Sequence, residues 1–361
     1  MGGGEQQEWS LGEPPWSHFM RLPKRVAMSV PLKVHKPLGA RVMAVLHPTF
    51  AVLGVALLVL LVDDVGPQEL GRVLARAAPW LPLVLLLEVA RQSLNAVATW
   101  VAYGSRTRDV PFRSILRAQL ISAAVSSVAP AGRAAGEATK AALLSPYTGG
   151  APAMAAAATS QVAALVSGGL ISLPCTLAAY LLTGASWLTL ALGVHALVML
   201  LAGLGMHAGM RAHGPGAWLK HHLHRFAPHT ESFQKALHGG VLPPAQPLVA
   251  TFLGRTLQVV QYGTLAMAVG IDTTALEALV AQGLHLLSMA VGILVPGRFG
   301  VSDGAFALSA NAFGTTTARA MSIALLAHGM QVLFVLLGSL TPLVWKAPPL
   351  PAAQPGRNLD D

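Results

Sequence analysis

Charge is scarce in this chain. Only 11% of its 361 residues are Asp, Glu, Lys or Arg while 53% are hydrophobic, a balance that excludes a soluble globular domain of this length. Cysteine is nearly missing: the single Cys175 excludes an intramolecular disulfide, and beside Pro174 in an apolar run it reads as a small buried residue. Residues 1–41 lack the apolar core of a cleaved signal peptide and carry Glu5, Glu8, Glu13, several prolines and a basic cluster instead, so the first span is expected to stay attached. No nucleotide-binding glycine loop, no GxSxG, no HExxH and no carboxylate cluster occurs, which gives no support to an ATP-driven pump or a hydrolase.

What remains is a succession of apolar runs long enough to cross a hydrocarbon layer of about 30 Å. They fall at about 42–62, 80–102, 152–182, 187–209, 245–270 and 317–344. The formal charge of +9 sits in loops beside these runs, where basic residues set orientation rather than bind nucleic acid, so no nucleic-acid partner is expected. Arg21, Lys24, Arg25, Lys33, Lys36 and Arg41 precede the first run and Asp63-Asp64 follows it, which places the amino terminus in the cytoplasm. Lys346 and Arg357 place the proline-rich tail, 346–361, on the same side. Between 66 and 79, Leu70, Val73, Leu74 and Ala77 share one helical face opposite Arg72 and Arg76, the pattern of an interfacial helix.

Two stretches, about 114–145 and 274–312, are broken at polar motifs. Pro130, Gly132, Arg133, Gly136 and Glu137 form the first; Pro296, Gly297, Arg298, Gly300, Asp303 and Gly304 form the second. Proline precedes the acid by the same seven positions in both, and each holds two glycines four apart, a spacing that lets helical backbones approach closely. The arms on either side of the first motif are too short to span. Arg113 and the basic loop 210–244 both belong inside, and only two full spans separate residue 145 from that loop. The segment 114–145 must therefore enter and leave by one face, as a re-entrant hairpin.

The segment 274–312 then becomes its counterpart from the outer face. Arg91 stands nearly as far before Pro130 as Arg255 does before Pro296, each with an amide one turn later, Asn95 or Gln258. The expectation is an all-α polytopic membrane protein: about six full transmembrane helices plus two re-entrant helical hairpins, arranged as an inverted repeat with halves at about 42–182 and 187–344.

In a re-entrant hairpin the second arm starts at mid-membrane, with unpaired N–H groups and a positive helix end aimed inward. Arg133 and Arg298 lie at those starts and carry forked donors suited to phosphate. Glu137 and Asp303 fall in the first turns, and Ser302 is placed to cap. Glu88, Arg91, Gln92 and Asn95 share a face of the second span, and Arg255, Gln258 and Tyr262 a face of the fifth; neither face can point at lipid. Two uses stay open for these residues: anion binding, or internal pairing that glues helices while the glycines lock the hairpins.

Lys140 reads as reaching for the cytoplasmic surface, with a second phosphate contact as the alternative. His195, His207, His285 and His328 stand alone in apolar runs and read as hydrogen-bonded helix contacts, and His213, His221, His222, His224, His229 and His238 as part of a solvated basic loop, with no metal.

At the two motifs the chain resembles the flippase-like membrane family named after lysylphosphatidylglycerol synthases. That family shows a proline–glycine–arginine–glycine–acid run and a later Pro-Gly-x-x-Gly-Val-x-acid run, matched here by Pro130 to Glu137 and Pro296 to Asp303. Arg298 stands where many relatives have glycine, and Asp303 where glutamate is more usual. The resemblance covers about 40–345 and implies a multi-pass protein of a bacterial inner membrane that moves an anionic phospholipid or lipid-linked headgroup. It implies no cofactor and, without the lysyl-transferring soluble domain, no aminoacyl transfer. Two other classes remain in view: a non-transporting membrane partner that docks a lipid- or glycan-modifying enzyme through loop 210–244, and a membrane-embedded lipid-linked transferase.

Overall fold

A backbone inside hydrocarbon finds no water for its N–H and C=O groups, so an apolar sequence of this kind closes its hydrogen bonds along helices. The computed structural model, described over residues 52–53, 56–63, 66–129, 132–211 and 245–347, follows that rule: every regular element among the described residues is helical. Segment 1–41, most of the first expected span, Pro130, nearly all of loop 210–244 with its histidines, and the tail from 348 lie outside the described residues.

Helix α1 (Pro67–Ala77) buries Leu70, Val73 and Ala77 and leaves Arg72 and Arg76 exposed, the two-faced pattern its sequence predicts. It runs through a short 3-10 turn into α2 (Leu81–Ala102). Then come α3 (Phe112–Val128), α4 (Arg133–Thr148), α5 (Gly150–Thr183) and α6 (Trp187–Arg211). After residue 245 the chain forms α7 (Ala245–Ala268), α8 (Ala275–Val291), α9 (Val301–Leu308) and α10 (Thr317–Val344). Thr274 and Glu277 close the amino end of α8 with a capping box. Arg319 reaches from α10 to the Gly270 carbonyl just beyond α7 (3.2 Å), a cation at the negative end of a helix.

Among the described residues four stretches are long and apolar enough to cross a membrane: Pro67–Ala102, Gly150–Thr183, Trp187–Met210 and Thr317–Val344. Helix α7 has the length, 24 residues, but Arg255, Gln258 and Gln261 on one side make it less apolar. The two broken stretches appear where the motifs fall. At 17 and 16 residues, α3 and α4 rise about 26 and 24 Å, short of a bilayer core of about 30 Å. The second stretch breaks into two 3-10 turns between α8 and the eight-residue α9.

Burial is inverted relative to a water-soluble protein. Leu190, Leu201 and Leu204 on α6, Leu177 and Leu181 on α5, and Leu336, Leu340 and Leu343 on α10 face outward, Leu190 at 70% exposure. Glu88, Glu137, Lys140, Gln258, Gln261 and Gln282 are buried. An apolar exterior around a polar interior is the arrangement a lipid solvent selects.

Helix α2 packs on α7, α3 on α4 and α10, and α8 on α5, α7 and α9. Glycines set the closest approaches. A Cβ on Gly136 would lie 1.9 Å from Ser126 Oγ and 2.9 Å from the Ser122 carbonyl, so α4 rests on α3 at the first motif as the four-residue spacing anticipates. Gly304 differs: its nearest neighbour is a Leu61 methyl at 3.9 Å, an ordinary contact, so the second glycine pair does not clamp helices there. Gly300 serves through its backbone, at φ 77° before α9.

The tightest approach of α3 to α10 is at Gly338, where a Cβ would sit 2.3 Å from the Leu120 carbonyl oxygen. Gly338→Ala is expected to lower the thermal unfolding midpoint in detergent, at an overpacking cost of about 1–3 kcal/mol. Gly205→Ala on α6, with nothing within 4 Å of its Cβ, gains helix propensity and should leave the midpoint unchanged or raised. Equal melting of the two variants would contradict the close packing of α3 on α10.

Candidate functional site

The stripe on α2 folds inward. Arg91 holds Glu88 through both ends of its guanidinium, with Nε to Oε2 at 2.7 Å and Nη2 to Oε1 completing the fork. Gln92 donates to Glu88 Oε1 (2.9 Å), and Gln261 of α7 donates to Oε2 (3.2 Å). Gln119 of α3 donates in turn to Gln92 (2.9 Å). One carboxylate thus ties α2 to α7 directly and to α3 through one amide, which keeps a costly buried charge satisfied.

Glu137 plays the same part on α4. Lys140 Nζ lies 3.1 Å from its Oε1 and 3.0 Å from Thr99 Oγ1 of α2, and Arg133 Nη2 stands 3.7 Å away. Lys140 is 3% exposed, so its ammonium stays inside with Glu137 instead of reaching the cytoplasmic surface. The sequence alone favoured the surface because a four-carbon stem allows it; an acid one turn earlier is what retains it. Arg133 Nε and Glu137 Oε2 are buried with no hydrogen-bond partner among the described residues.

On α7, Arg255 donates to Gln258 Oε1 (3.1 Å), which also accepts from Gln282 of α8 (3.2 Å). The Gln258 amide nitrogen, which can only donate, faces His285 Nε2 at 3.2 Å. That assignment puts the imidazole proton on Nδ1, donated to the Tyr262 hydroxyl at 2.6 Å. His285, read from sequence as a hydrogen-bonded helix contact, is one, fixed at both nitrogens.

At the second tip, Arg298 Nη2 donates to Gln331 Oε1 of α10 (3.0 Å). Its backbone is left-handed, at φ 60°, the one non-glycine residue so placed among the described residues. Its stem lies where a Cβ on Gly292 would be, 2.7 Å from Cγ. Gly297, at φ 66°, makes the turn before it.

Asp303 does not face the opening. It is fully buried, accepts the Gly300 N–H (2.8 Å) at the start of α9, and accepts from His328 Nε2 of α10 (3.1 Å). Gly300 therefore occupies the capping position expected for Ser302, and Ser302 lies in the first turn. His328, also read as a hydrogen-bonded helix contact, links α10 to the tip, with Phe299 against its ring at 4.6 Å.

These groups converge on a cavity of about 220 Å³ between the two broken stretches. Of the expected binding residues, Glu88, Arg91, Arg133, Glu137, Arg255 and Arg298 line it, and Asp303 stands behind its wall. Pro296, Gly297 and Gly300 shape the second tip, and Gly132, at φ 43°, caps α4 at the first. Lys140, Gln119, Ser122, Ser126, His285 and Gln331 join the lining. The polar positions on α3 were legible as a stripe, since 119, 122 and 126 share one helical face.

The charge of the lining is unbalanced. Among the described residues five basic side chains, Arg91, Arg133, Lys140, Arg255 and Arg298, face two carboxylates, Glu88 and Glu137, an excess of three. Arg255 and Arg298 hydrogen-bond to neutral amides and have no carboxylate partner among the described residues. Such a cavity can bind an anion through several forked donors at once.

A family model described as "Lysylphosphatidylglycerol synthase TM region" matches residues 48–338. No significant match was found among curated proteins or among solved structures.

The shared carboxylate on α4 gives a direct check of the pairing. Glu137→Gln strands two cations and should destabilise the protein by about 3 kcal/mol in detergent unfolding. Adding Lys140→Met removes one stranded charge and should recover part of the loss. A double variant less stable than the single would show that Lys140 is not held by Glu137.

Proposed function

Because the chain belongs to the lysylphosphatidylglycerol synthase TM-region family, we propose that this helical membrane protein binds the anionic headgroup of a phospholipid or lipid-linked substrate and moves it across the bilayer. The observation that carries this reading is the excess of three positive charges lining one cavity inside a helical body with an apolar exterior. A charge at bilayer depth costs roughly 2.5–3.5 kcal/mol on the lenient insertion scale. Two guanidiniums held only by amides are a standing expense that an anionic ligand would offset.

The inverted-repeat reading draws support from reciprocal packing. The first arm of the first broken stretch, α3, packs on α10, the last helix of the second half; the first arm of the second, α8, packs on α5, the last helix of the first half. Such exchange is what a two-fold relation between halves produces. In this scheme α3–α4 and α8–α9 are hairpins that dip from opposite faces, and their tips, at Arg133 and Arg298, hold the headgroup near mid-membrane while the halves rock about it. Both termini lie in the cytoplasm of a bacterium, the membrane is the inner one, and the chain acts as a carrier without catalytic chemistry. The docking alternative through loop 210–244 has no observation in its favour, since that loop lies outside the described residues.

Proteoliposomes carrying fluorescent phosphatidylglycerol test the reading. The intact protein should speed dithionite-accessible exchange of the lipid, and Arg133→Gln/Arg298→Gln should slow it by at least about tenfold, the equivalent of one lost charge-assisted contact. An unchanged rate in the double variant would remove the assignment of the site, and no exchange by the intact protein of this lipid or of a fluorescent lipid phosphomonoester would remove the transport reading. Topology has its own check. In a Cys175→Ser background, Arg113→Cys and Pro146→Cys, both at exposed positions, should react with an impermeant maleimide from the same side of the membrane. Labelling from opposite sides would exclude the first hairpin.

A further inference from the structure

The two kinds of cation in the cavity differ in what they lack. Arg91 is matched by Glu88 and Lys140 by Glu137, so these two contribute shape and hydrogen bonds but little net charge. Arg255 and Arg298 are each oriented by a glutamine oxygen, which fixes the guanidinium without neutralising it. Arg133 belongs with them in part: its nearest carboxylate oxygen is 3.7 Å away and nearer to Lys140, and its Nε is buried and unpartnered among the described residues. These three guanidiniums come from three separate elements, the start of α4, the middle of α7 and the tip before α9. They face one space.

From this count we propose that the headgroup taken by the cavity is a phosphate bearing two or more negative charges, a diphosphate or a phosphomonoester, in preference to a singly charged phosphodiester. The inference rests on the lipid-binding reading above and narrows its substrate class. A phosphodiester carries one charge and would leave two of the three cations uncompensated in a low-dielectric site. A phosphomonoester brings about two charges and a diphosphate monoester about three, so one or none of the three cations stays uncompensated, and the terminal oxygens, unshielded by a second ester, can accept from guanidiniums on different sides. Among the described residues the lining holds no further acid to compete: Glu88 and Glu137 each pair with a cation, and Asp303 is turned to Gly300 and His328.

Gln258 and Gln331 are then specificity-determining residues. Glutamate in their place would present the same acceptor geometry while cancelling a charge that the ligand is meant to cancel. Their neutrality sets how many charges the ligand must bring.

Binding to the full-length protein in lipid nanodiscs tests this with four probes: farnesyl diphosphate, farnesyl phosphate, dioleoyl phosphatidylglycerol and inorganic pyrophosphate. Farnesyl diphosphate and farnesyl phosphate are expected to bind at least about tenfold more tightly than phosphatidylglycerol. Gln258→Glu and Gln331→Glu, each folded by its thermal transition, should each reduce that preference to about threefold or less. Phosphatidylglycerol binding as tightly as farnesyl diphosphate overturns the inference and leaves the lipid-binding reading intact. Failure of all three lipids to bind overturns that reading itself. Pyrophosphate binding as tightly as farnesyl diphosphate keeps the charge requirement and assigns the ligand to solution instead of the bilayer. A selectivity untouched by both glutamate variants removes the role given to the amides.

Discussion

Buried charge inside an apolar body must be compensated, and the way it is compensated orders the interior. Glu88 is the clearest case: it takes a bidentate arginine from its own helix, an amide one turn on, and a second amide from α7. Removing any donor would leave lone pairs in a low-dielectric site, where desolvation is not repaid. The crossing of α2 on α7 is therefore fixed by polar geometry as well as by packing. Glu137 does the same between α4 and α2, through Lys140 and Thr99.

Helices in lipid gain little from burying apolar side chains against one another, so close backbone contact and interior polar bonds carry specificity. Both devices meet at the first motif. Gly136 brings α4 onto α3, and Glu137, the next residue, gathers Arg133 and Lys140. Where sequence spacing suggested the same at Gly304, no close helix contact forms, and positive φ at Gly297 and Gly300 bends the chain instead. Two similar motifs thus solve different problems: one packs two helices together, the other turns the chain.

Much of this was readable because the signals are local. Helical faces at 88, 91, 92 and 95, breaks at proline and glycine, and the amphipathic run of α1 need only a window of a turn or two, and all three appear in the structure. What the sequence left unread lies in contacts far apart along the chain. Lys140 turns inward to meet Thr99, His328 bonds Asp303, and Gln261 reaches Glu88 across 173 positions. No periodicity encodes such pairs. Asp303 illustrates the limit best: acid and motif position suggested a ligand contact, yet the Gly300 N–H and the His328 imidazole claim its carboxylate.

The second tip also differs from the first in backbone terms. Arg298 is held at φ 60°, a conformation that costs a residue with a side chain on the order of 1–3 kcal/mol and persists only where surroundings over-determine it. The restraints are identifiable: Gly292 leaves room for the stem, Gln331 holds the guanidinium, and Asp303 with His328 anchors the start of α9. A left-handed backbone is the conformation that glycine adopts most freely, and here a residue with a side chain holds it. A side chain imposed on a glycine conformation, with its charge balanced only by an amide, combines two local costs at one residue.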